Sequence, residues 1–151
     1  MFSTVPVTEG PQPAWLDRLI AATFVVTAGG ALWILLSVTP DAKGYDTHTQ
    51  LGLSPCSWPG SMGIPCPTCG ATTAACHLVH LNPVRAVITQ PFGASVALLG
   101  LAAASVAAFC LARRRSFLDV YAQLPIARLV VGMVLLLLLS WLYKYLTFEA
   151  V

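Results

Sequence analysis

The chain has 151 residues, of which 57% are hydrophobic and 9% charged, with a formal net charge of +2. A soluble domain carries about 25% charged residues, and the apolar excess here is more than a core of this size can bury, so it must face lipid. With no basic stripe and no interleaved aromatics, nucleic-acid binding is excluded.

The first apolar segment, 15–38, opens on Asp17 and Arg18 and ends before Pro40 and Asp41. Its interior is long enough to cross a hydrocarbon layer of about 30 Å at about 1.5 Å per residue. It is also longer than the core of a signal peptide and has no basic region before it, so it reads as a retained span. The second, 92–112, repeats small residues at Gly93, Ala97, Gly100 and Ala104, which permits close helix contact in lipid. The third, 126–146, ends in Trp141, Tyr143 and Tyr145, as an interfacial aromatic belt would. The expected fold is all-α: one membrane domain over 1–151 with three transmembrane helices and a short interfacial or re-entrant helical segment between the first two.

Orientation follows from the basic residues of short loops. Arg113, Arg114, Arg115 and Arg128 flank the connection between the second and third spans, and Arg18 lies on the same side by parity. The N-terminus is therefore expected in the cytoplasm, and the loop 40–91 and the C-terminus on the exoplasmic side.

That loop is too long for a plain connector and reads as functional. Its first half, 41–63, is rich in Gly, Pro, Ser and Thr and is expected to lack regular structure; His48, Cys56 and Trp58 are its notable side chains. Gly63-Ile64-Pro65-Cys66-Pro67-Thr68-Cys69-Gly70 follows. A Cys-x-x-Cys pair holds two soft sulfur atoms within one turn, which suits a metal, a dithiol–disulfide couple or a structural bridge. A short helix is expected next, with Pro67 in its first turn and Asn82-Pro83 at its end. A second amphipathic stretch, 84–89, then leads through Gln90-Pro91 into the second span. Helical spacing puts Cys69, Thr73, Cys76 and His80 on one face, with His77 adjoining it. Cys110, late in the second span, reads as a packing residue.

These residues resemble the signature of a bacterial membrane family named as domain of unknown function 2752: Gly-hydrophobic-Pro-Cys-Pro-x-Cys-Gly-x-Thr-Arg, a short helix, then Asn-Pro before the next span. Gly63 to Gly70 and Thr72 match, and Cys56, preceded by Pro55, fits the family's approach to the motif. Thr73 stands where the family has Arg, and the later Asn-Pro is Gln90-Pro91. The resemblance implies the topology and a bacterial cytoplasmic (inner) membrane, but no mechanism. Thr73 in place of Arg argues against an anion clamp at that position.

Three chemistries remain open. A zinc or copper(I) site would draw on Cys66 and Cys69, with Cys56, Cys76, His80 and His48 as further ligands. Thiol–disulfide exchange would make Cys66 and Cys69 the catalytic pair, Cys66 attacking and Cys69 resolving, with Cys56 or Cys76 as a relay. The third is structural: a disulfide from Cys56 to Cys66 or Cys69 pins the loop of an accessory subunit in a larger membrane complex. Transport is disfavoured by the lack of charged residues in the interiors of the spans, whose charges sit near their ends. Serine-hydrolase chemistry has no Gly-x-Ser-x-Gly to rest on.

Overall fold

A computed structural model of the chain describes residues 14–148. The N-terminal segment 1–13, expected in the cytoplasm, and residues 149–151 lie outside the described residues. The described chain is helical, with no strand. Three helices are long and apolar enough to span a membrane: α1 (Ala14–Ser37), α5 (Pro91–Arg113) and α7 (Ile126–Thr147), each with a mean hydropathy of 2.2 in its most apolar window. The chain is a multi-pass membrane protein. The three helices fall within two residues of the expected spans, because an unbroken apolar run and the Pro and Arg residues at its ends are local signals.

Between α1 and α5 lie a 3-10 turn (Thr47–Leu51), α2 (Ser57–Met62), α3 (Ala71–Val79) and α4 (Pro83–Thr89); α6 (Phe117–Ala122) joins α5 to α7. The segment 41–63 is thus more regular than its composition suggests. Pro59 is accommodated in α2 because it sits in the first turn, where no intrahelical N–H is needed. Two polar-Pro pairs start helices in the same way. The Asn82 side chain accepts from the Arg85 N–H with Pro83 at the first position of α4, and Gln90 accepts from the Gly93 N–H with Pro91 opening α5. Asn82-Pro83 therefore ends one helix by starting the next.

Helix α5 is central, packing against α1, α3, α4, α6 and α7, whereas α1 and α7 do not touch. At one end, Ala21, Ala107, Cys110 and Phe117 form a small buried cluster. Asp17 fastens that end: its carboxylate accepts from Ser116 Oγ at 3.1 Å and from the Phe117 and Leu118 N–H groups at 3.2 and 2.9 Å. At the other end, Ala74, Ala86 and Ala94 pack α3, α4 and α5 together. Alanine at all three contacts lets the short helices sit close against the top of α5. The loop, the start of α5 and the end of α7 consequently share one end of the bundle.

Candidate functional site

The Cys-Pro-Thr-Cys turn closes on itself through two backbone bonds, Cys69 N–H to Cys66 C=O and Ala71 N–H to Thr68 C=O, both 2.9 Å. Gly70 follows with φ +87°, and a Cβ there would lie 2.5 Å from the Gly44 carbonyl oxygen. Only glycine fits both the left-handed backbone and this approach. Helix α3 therefore begins at Ala71 and not at Pro67, which stays in the turn ahead of it.

Two side chains hold the carbonyls of the turn. Trp141 Nε1 of α7 donates to Pro65 C=O at 3.0 Å, and Gln90 Nε2 donates to Pro67 C=O at 3.2 Å. Gln90 is fully buried and also accepts from the Gly93 N–H, so one amide side chain ties the motif to the first turn of α5. Left unpaired, the fully buried Gln90 amide would cost about 1–3 kcal/mol.

Cys56, Cys66 and Cys69 line one open cavity of about 210 Å³, together with Asp46, His48 and Thr73. Cys56 is brought there by its own backbone, whose N–H donates to Asp46 Oδ1 at 3.1 Å. Asp46 adopts φ 64° to make this contact and faces His48 Nε2 at 4.0 Å. That His48 nitrogen also lies 3.0 Å from the Ser54 carbonyl. Thr73 is wholly buried, its hydroxyl 2.8 Å from that of Thr47, which in turn accepts from the Asp41 N–H at 3.0 Å.

The three thiols differ in setting. Cys56 and Cys66 are half-buried and Cys69 is buried, and all three are free. Burial pushes the Cys56 thiol up; the Trp58 N–H pulls it down, and the neighbouring Cys66 thiol adds to the rise. Burial pushes Cys69 up to about 12, with Cys66 and Cys56 adding to it and the Lys144 ammonium opposing it. Cys66 is thus the thiol the other two share.

Cys76 and His80 stand apart from this cavity. Cys76 Sγ donates to the carbonyls of Leu35 in α1 and Val38 just past its end, at 3.5 and 3.3 Å, and burial pushes its thiol up. His80 Nδ1 lies 2.8 Å from the Cys76 carbonyl and 3.6 Å from its sulfur. Of the expected face of Cys69, Thr73, Cys76 and His80, the last three keep helical spacing, with His80 at the end of α3 against Cys76. Cys69 leaves it because it precedes the helix, and Gly70 turns the chain before helical spacing begins. Among the described residues, no group of three His, Cys, Asp or Glu side chains is placed to hold a metal ion. Cys110 is buried between α1, α5 and α6.

Three residues of the site went unread in the sequence: Gln90, Lys144 and the loop-binding role of Trp141. Trp141 does sit near the end of its span, but its indole N–H is committed to the motif. A lone lysine in the last turns of an apolar span was the available signal for Lys144.

Residues 56–104, about a third of the chain, match the family model described as a protein of unknown function (DUF2752). The resemblance carried by Gly63 to Gly70 is therefore borne out over that segment, which runs from Cys56 through the motif and α3 into α5. No curated protein and no solved structure matches the chain.

Proposed function

We propose that this membrane protein carries a dithiol–disulfide exchange site on the exoplasmic face of a bacterial cytoplasmic membrane, built from Cys56, Cys66 and Cys69. The observation that supports it is the gathering of three free thiols from two separate turns around one open cavity, with Cys66 common to both neighbours. Zinc or copper(I) coordination is the second reading; among the described residues no group of three His, Cys, Asp or Glu side chains is placed to hold a metal ion. A partner bearing a disulfide is the substrate class.

The Cys66 thiolate attacks one sulfur of the partner's disulfide, forming a mixed disulfide and releasing one partner thiolate. Cys69 then attacks the Cys66 sulfur, closing the Cys66–Cys69 disulfide and releasing the second. Two electrons pass to the partner, and the two protons lost by the protein thiols end on the partner's sulfurs. Cys56 moves the disulfide onward by attacking Cys66 and freeing Cys69. The reverse sequence oxidises a partner dithiol.

The test is a thiol count by mass spectrometry on protein purified without chelator, before and after titration with glutathione redox buffers, beside a metal analysis. Two thiols of the three should be lost and regained at a defined buffer potential, with no stoichiometric metal. A disulfide that never cycles would instead make the site a staple of the loop. Stoichiometric zinc or copper that disappears with Cys69→Ser would replace exchange by coordination.

A further inference from the structure

Helix α3 ends under strain. The Asn82 N–H donates back to His77 C=O at 2.9 Å and the Leu81 N–H to Leu78 C=O at 3.1 Å, the paired bonds of a Schellman stop. Such a stop holds one residue in the left-handed region, usually glycine, because a Cβ is disfavoured there. Here that residue is Leu81, at φ 58°. No packing within the fold offsets the strain, since Leu81 is 89% exposed. Beside it on α4, Val84, Val87 and Ile88 are three and four residues apart and form an exposed apolar face. The opposite face of α4 is the one that packs, through Ala86 against Ala74 and Ala94. Arg85 is exposed next to the apolar face and forms no salt bridge among the described residues.

Three contacts fix the level of this α3–α4 hairpin. Cys76 Sγ of α3 bonds the Leu35 carbonyl, close to the end of α1 at Ser37. Tyr143 Oη, one turn before the end of α7, donates to Ile88 C=O at 2.9 Å. Gln90, which ends α4, also caps α5. The hairpin therefore lies where α1 ends, α5 begins and α7 ends, and its apolar face continues the lipid-facing surface of the spans. At that depth acyl chains give way to headgroups. Four large apolar side chains flanked by one free cation match such a boundary, with hydrocarbon for the former and phosphate for the guanidinium.

We propose that the α3–α4 hairpin is a membrane-inserting tip. Leu81, Val84, Val87 and Ile88 enter the phospholipid leaflet at the thiol end of the bundle, by about 5–10 Å as interfacial helices do, and Arg85 meets its phosphates. The strained leucine is then the point of the tip. Because the Gln90 amide joins the base of the hairpin to Pro67 C=O, the tip also fixes the height of the Cys-Pro-Thr-Cys turn over the leaflet. The inference is independent of what the thiols do.

The test puts the full chain carrying Leu81→Trp into vesicles of phosphatidylcholine and phosphatidylglycerol. The phosphatidylcholine is plain, brominated near the head of its acyl chains, or brominated near their ends. Emission of the wild-type protein in the same lipid is subtracted. The added tryptophan should emit at short wavelength and lose most of its emission to bromine near the head, and less to bromine near the chain ends. Val84→Trp should behave alike, and carries the test if the Leu81 variant does not fold. Adding Arg85→Leu should shift the preference toward the deeper bromine, since the charge that holds the hairpin at the phosphates is gone. Unquenched emission at long wavelength would leave the tip in water and overturn the proposal. Unquenched emission at short wavelength would overturn it too, by showing a second copy of the chain over the face. An unchanged depth preference in the Arg85→Leu protein would remove the phosphate contact.

Discussion

Cys69 carries the sharpest consequence at the scale of single residues. Its thiol is raised from an ordinary value of 9.0 to about 12 by burial, so the folded protein holds a proton that the unfolded chain gives up. Between those two values the folded state binds more protons, and stability falls as pH rises. The contribution is complete below pH 9.0 and lost as pH passes through about 12. Cys56 and Cys76 are shifted in the same direction by the same cause and steepen the loss. We expect the thermal midpoint in detergent to hold constant up to about pH 9 and to decline above it. Replacing Cys69 by alanine should flatten that decline, and a decline of equal slope in the variant would show that the thiol is not its source.

Among the elements, the small residues of the second span separate into two kinds. A Cβ on Gly93 would stand 2.6 Å from Ala71 Cα, a backbone atom that cannot give way, whereas a Cβ on Gly100 meets nothing within 4 Å. Gly93→Ala should therefore destabilise by about 1–3 kcal/mol through overpacking, outweighing a helix-propensity gain of about 1 kcal/mol. Gly100→Ala should show only the gain. Midpoints measured side by side in one detergent check the contrast, and a Gly93→Ala protein at or above wild type would mean that α3 does not rest on α5 in this way. The stripe Gly93, Ala97, Gly100 and Ala104 was legible as a helix-contact surface, but not which of its members meets a partner within the chain. That depends on α3, whose start is set by the φ of Gly70, and a backbone angle leaves little trace in a string of residues. The same missing angle made Cys69 look like part of the face of Thr73, Cys76 and His80. The spans were readable because hydropathy and proline are local. Gln90, Trp141 and Lys144 were not, because their partners lie 23, 76 and 100 residues away.

For the whole molecule, the decisive property is that its two ends differ in chemistry. One end holds Asp17 on the α6 backbone with Arg18, Arg113, Arg114, Arg115 and Arg128 close by in sequence. The other holds the thiols, the buried Gln90 and Lys144. Basic residues in short connections favour the cytoplasmic side, and in the proposed orientation the thiol end faces outward, where disulfides persist. A membrane-impermeant maleimide added to intact cells should then label the half-buried Cys66 and leave Cys110, buried at the opposite end, untouched. Replacing Arg113, Arg114 and Arg115 together by glutamine should weaken that preference and admit molecules of the inverted orientation. Labelling of Cys66 only after the membrane is opened would place the cavity in the reducing cytoplasm. The orientation would then be wrong. A stable Cys66–Cys69 disulfide would also lose its chemical setting, since cytosolic thiol buffers keep such pairs reduced. The topology experiment thus bears on the chemistry as directly as the thiol count does.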